Sequence, residues 1–110
     1  MKKIAEIEEL RKIADRFAAC ILVNDKAGAS ELLPELASWL ERVIVLVMGY
    51  CDRPEMSALA DDRGYLPEQL KRILGAIEKQ DGFLIYDSLE NELMMNLDYF
   101  AAQADKAGVL

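Results

Sequence analysis

Apolar residues recur at steps of three and four along four separate stretches of this chain, a spacing that only an α-helix turns into one continuous face. From Lys2 to about Lys26 the stripe is Ile4, Ile7, Leu10, Ile13, Ala14, Phe17 and Ile21, with Glu6, Glu9, Lys12 and Arg16 opposite. From Glu31 to about Met48 it is Leu32, Leu33, Leu36, Trp39, Leu40, Val43, Ile44 and Val47. A third stretch begins at Pro67 and carries Leu70, Ile73, Leu74 and Ile77, with Leu66 just ahead of it. The fourth, Asp81–Ala104, carries Phe83, Tyr86, Leu89, Leu93, Leu97, Phe100 and Ala104. Four stripes in 110 residues can be buried only against one another. The sequence therefore predicts an all-α fold, an antiparallel up-down four-helix bundle forming one domain over residues 1–110, with a short extra helix between helices 2 and 3.

The punctuation fits that plan. Gly28 reads as the stop of helix 1 and Ser30 as the cap of helix 2. Pro34 falls in the predicted first turn, where a missing N–H costs little. Val43–Val47 has strand propensity, but the upstream three-four spacing favours a helix. Residues 52–65 are the main irregular stretch, in which Pro54 opens a short helix through Leu59 and Gly64 ends it. Gln80-Asp81-Gly82 reads as a turn with Asp81 capping helix 4.

Charge and composition exclude several functions. The formal net charge is −7, and residues 81–110 hold Lys106 against Asp81, Asp87, Glu90, Glu92, Asp98 and Asp105, a net of −5. Nucleic acid needs a basic face, so it is not an expected partner. There is no histidine, which removes the Glu-x-x-His di-iron bundle site and any Ser/His or Cys/His pair. No glycine-rich phosphate loop or other cofactor motif is present, so neither enzymatic activity nor a cofactor is expected. Cys20 and Cys51 have no metal-ligand spacing and read as small reduced hydrophobes of a cytoplasmic protein. The opening MKKIAEIEEL mixes lysines with acids, unlike a signal peptide. Phe17–Asn24 and Val43–Cys51 are too short to span a bilayer, so no membrane is expected.

Two features break the pattern. Glu90 falls inside the apolar stripe of helix 4, among Tyr86, Leu93, Met94 and Leu97, with Asp87 one turn earlier. A carboxylate there needs a partner, a raised pKa or an opening to water. Joined by Asp87 and an acid such as Asp25, it would hold a hard cation through oxygen ligands; paired with Arg42 or Arg72, it would lock the bundle's register. The second break is at the end of helix 2, where Val45 and Met48 face away from the stripe and need cover from residues 52–65 or from a second subunit. Met94-Met95 with Met48 and Met56 would suit an adaptable peptide groove. Asp61-Asp62-Arg63-Gly64 has a superficial likeness to a calcium loop but lacks the alternating ligands and distal glutamate.

The segment Ile77–Leu93 resembles a pattern in small uncharacterised all-helical bacterial proteins, whose last helix opens on E-x-x-D-x-hydrophobic and continues D-x-hydrophobic-E-x-E-L. The matching residues are Glu78, Asp81, Phe83, Asp87, Leu89, Glu90, Glu92 and Leu93. Leu32-Leu33-Pro34-Glu35-Leu36 and Trp39 are similar to that group's second helix. Asn91 and Met95 depart from it, where an aromatic and a proline are common. The resemblance implies a helical fold and brings no activity with it. From the residues themselves, the expected function is a non-enzymatic interaction protein, adaptor or chaperone-like, with a protein partner or a second copy as ligand. The acidic fourth helix and the Val45–Met48 patch are its expected contact surfaces. The competing expectation is a carboxylate-based metal or small-ligand site on helix 4, built from Glu90 and Asp87 beside Tyr86 and Met94.

Overall fold

The computed structural model describes residues 3–59 and 62–110, with side chains for all of these except 58, 59 and 62–64. The described residues are helical almost throughout, with no strand among them. Helix α1 is Ala5–Leu22, α2 is Lys26–Cys51, a 3₁₀ segment covers Pro54–Leu59, and α3 is Asp62–Glu78. The last helix is Gly82–Ser88 (α4), one π turn at Leu89–Leu93, then Met94–Lys106 (α5). Helix α1 packs on α2, α2 on α3, α3 on α4 and α4 back on α1, so the predicted all-α bundle with its short crossover helix is what forms. None of the described helices is long and apolar enough to cross a membrane.

Both short connections use one device, of which the sequence predicts only the Asp81 cap. Asn24 takes a left-handed φ of 57°. The N–H of Asn24 then donates to the Ile21 carbonyl and that of Asp25 to the Cys20 carbonyl, the Schellman closure of a helix end. The Asp25 side chain in turn accepts from the Gly28 N–H and opens α2. Gln80 (φ 55°) and Asp81 repeat this: Gln80 N–H donates to the Ile77 carbonyl, Asp81 N–H to the Ala76 carbonyl, and the Leu84 N–H to the Asp81 carboxylate. Each aspartate thus closes one helix with its backbone and starts the next with its side chain.

Several expected boundaries move as a result. Helix 1 ends at Leu22, not Lys26; Asp25, not Ser30, caps α2; and Gly28 lies inside α2. Gly28 is needed for proximity, since a Cβ there would stand 2.3 Å from Asp25 Oδ2 and 3.1 Å from Cys20 Sγ. Pro34 accordingly sits well inside α2, where it denies the Ser30 carbonyl its usual donor. Helix α3 starts before Pro67 and contains Gly64, which ends nothing. The Val43–Val47 run is helical. Of the calcium-like loop, Asp61 lies outside the described residues, and Asp62, Arg63 and Gly64 belong to the first turn of α3.

The core is the expected set of stripes, with one systematic exception. Ile7, Leu10, Phe17, Leu36, Leu40, Val43, Leu70, Leu93, Leu97 and Phe100 are all essentially sealed. On α4, however, Phe83 is 72% exposed and Tyr86 only half-buried, while Ile85 and Leu89 are buried. In an unbroken helix, at about 100° per residue, Ile85 and Leu89 would point roughly one residue's rotation away from the face shared by Leu93, Met94, Leu97, Phe100, Ala101 and Ala104. A π turn, closed here by the Met94 N–H on the Leu89 carbonyl, takes up one extra residue. It turns the two halves into phase, so both bury their apolar side chains. The unbroken stripe predicted for helix 4 therefore holds from Leu89 onward and fails before it.

Candidate functional site

Glu90 lies inside the π turn. Its Oε1 is buried without a hydrogen-bond partner among the described residues. Burial pushes its carboxyl above the ordinary carboxylate range, the Asp15 charge adds to that, and Arg11 opposes it. The nearby cation is thus Arg11 of α1. The arginines expected in that role are engaged elsewhere: Arg42 stacks on Trp39, and Arg72 lines a groove between α3 and α4. Arg11 itself is ion-paired with Asp98 and lies 3.5 Å from Glu8, so it ties α1 to α5 and leaves Glu90 only a long-range attraction.

The structure does not bring together the residues proposed to share a site. Asp87 points toward α3, where it lines the groove with Arg72 and Lys79 and accepts a hydrogen bond from Asn91 at 2.6 Å. Glu90 faces α1 instead. Asp25 is spent as the cap of α2. Tyr86 packs against Phe83 with ring centroids 6.4 Å apart, and Met94 is core. No group of three or more His, Cys, Asp or Glu able to hold a metal ion occurs among the described residues. The methionines do not share a groove either: Met56 and Met94 are buried, whereas Met48 and Met95 are exposed on different helices.

One polar residue escaped the sequence reading. Gln69, 2% exposed, lies on α3 between Leu66 and Ile73. Its amide nitrogen donates to Glu92 at 3.3 Å and its oxygen accepts from Asn96 at 3.0 Å. It fastens α3 across the end of the π turn, and its place inside an apolar stripe was the available signal. Arg11 gave no such signal, because its partner is 87 residues away.

The second break in the pattern is fully expressed. Val45 is 71% and Met48 47% exposed, so the crossover does not cover them. Val45 lies in a shallow groove of about 810 Å³ along the outside of α2, with Trp39, Arg42, Leu46, Gly49, Tyr50 and Arg53. The Arg42 guanidinium sits 4.6 Å from the Trp39 ring centroid and that of Arg53 4.9 Å from Tyr50. These stacks hold two flat cations against the helix at either end of an apolar strip. No protein-family model matches the chain, and no curated protein or solved structure matches it either.

Proposed function

We propose that the chain is a non-enzymatic protein-interaction module, an adaptor or chaperone-like bundle of the cytoplasm, whose contact surface is the outer face of α2. The observation that carries this reading is Val45, 71% exposed in a groove between two ring-stacked arginines. Tryptophan, tyrosine and arginine are the residue types that dominate binding energy at protein interfaces. An apolar strip with a charged rim is the anatomy of such a surface. The acidic face of the last helix, where Met95 and Tyr99 are exposed, is a second contact surface suited to a basic partner. A carboxylate-based metal or small-ligand site has less support, because Asp87 and Glu90 face different helices. The test is photo-crosslinking in the cells that make the protein, with benzoylphenylalanine placed at position 45 or, as a control, at the exposed Lys71. Protein adducts from position 45 and none from position 71 are expected; no adduct from position 45 sinks the reading.

A further inference from the structure

Resting on that reading of α2, we propose that the occupant of its outer face is a second copy of this chain, with α2 packed antiparallel on α2 across a two-fold axis. Exposure alone does not identify an occupant; charge and shape together do.

Every region rich in acid repels another copy of itself, and residues 81–110, at net −5, do so most strongly. The outer face of α2 is different. The charged residues that line its groove, Glu6, Glu41, Arg42 and Arg53, are two acids and two bases. Glu41 and Arg42 stand at one end of the apolar strip and Arg53 at the other. A two-fold axis at the middle of the strip lays one end over the other and pairs the charges. The register that sets Val45 over Gly49 of the copy also sets Glu41 opposite Arg53, twice. Positions 41/42, 45 and 48/49 are three or four residues apart, so they lie along one side of α2, and Arg53, just beyond its end, lines the same groove.

Gly49 supplies the shape. A Cβ at this position would meet nothing within 4 Å, so its absence relieves no contact inside the chain. A glycine within a helix nevertheless weakens it relative to alanine. On the outer face it provides a notch into which Val45 of the other copy fits, and it lets two helix axes approach at the short end of the usual range. Met48 then covers Leu46 of the copy at the centre.

Size-exclusion chromatography with light scattering, run from micromolar to millimolar concentration, tests this. The wild-type chain is expected at the mass of two chains. Arg53→Glu and Glu41→Arg should each weaken the dimer by roughly tenfold or more, with circular dichroism showing unchanged helix content. The double variant Glu41→Arg/Arg53→Glu rebuilds both pairs with reversed polarity and should restore the dimer. A wild-type chain at single mass throughout, a dimer indifferent to both reversals, or a double variant that stays monomeric would each overturn the proposal. If the purified chain is monomeric while position 45 still crosslinks to a different protein, the dimer fails and the contact-surface reading stands. If position 45 crosslinks to nothing, that reading fails as well.

Discussion

The two longest helices of this protein are nearly equal in length, 26 residues for Lys26–Cys51 and one fewer for Gly82–Lys106, yet they break the amphipathic rule in opposite directions. Helix α2 keeps one register from end to end, in spite of Pro34, and puts apolar side chains into water at Val45 and Met48. The last helix carries one residue too many for a single register, absorbs it in a π turn, and leaves a carboxylate oxygen sealed from water at Glu90. An excess of apolar residues costs α2 nothing in backbone regularity and shows up as surface. An excess residue in the last helix is settled in the backbone, and its consequence lies inside the fold.

The sharpest way to break this comparison is to remove one residue from each helix. Deleting Glu41 rotates everything after it by about 100°, turning Val43 and Val47 away from the core. The loss should approach the whole stability of the domain, on the order of 5–15 kcal/mol. Deleting Asn91 instead removes the residue that the π turn exists to absorb. That variant should fold with a stability within about 1 kcal/mol of wild type, since an exposed side-chain hydrogen bond is the main thing lost. Urea unfolding compares the two; if both deletions unfold the protein, the phase explanation of the bulge is wrong.

Side-chain truncation sharpens the same contrast at lower cost. Leu93→Ala, at the sealed end of the π turn, should lose about 2–5 kcal/mol. Val45→Ala, measured where the chain is monomeric, should stay within about 0.5 kcal/mol. Equal losses at both sites would mean that Val45 is not a surface residue.

The smallest expected effect concerns charge. Because the folded state raises the Glu90 pKa above its ordinary value of 4.5, it favours the protonated acid. That contribution to stability is complete below 4.5 and is lost as the pH rises through the folded value. Glu90→Gln keeps the shape and never ionises. It should therefore unfold at higher urea than wild type near neutral pH, with the advantage gone below pH 4.5. A wild type that is the more stable at neutral pH would show that Arg11 stabilises the charged form after all.

Much of this was legible in the sequence, for stated reasons. The three-four spacing fixed four helices, and the helical state of Val43–Val47 followed from residues upstream of it. Val45, Met48 and Glu90 were recognisable because each violates the spacing of its own helix. What could not be read were relations between helices. Arg11 reaches Asp98 and approaches Glu90 only after α1 and the last helix have packed, so Arg42 and Arg72 looked equally able to serve. The π turn was hidden because Phe83, Tyr86 and Leu89 make an acceptable stripe; only the competing burial of Ile85 shows that the first half is rotated. Gly28 misled because glycine commonly ends helices, whereas Asn24 had already taken the left-handed position.

The paired turns bear on time as well as on shape. Asp25 and Asp81 each carry a stop and a start, so each hairpin holds its own instructions within about six residues and needs no distant segment to set its angle. Most of the packing joins helices that are consecutive in the chain. Such contacts demand little loop closure, and small domains built from them fold in microseconds to milliseconds. The N-terminal hairpin is able to form before the last helix, with its mismatched register, has to find its place.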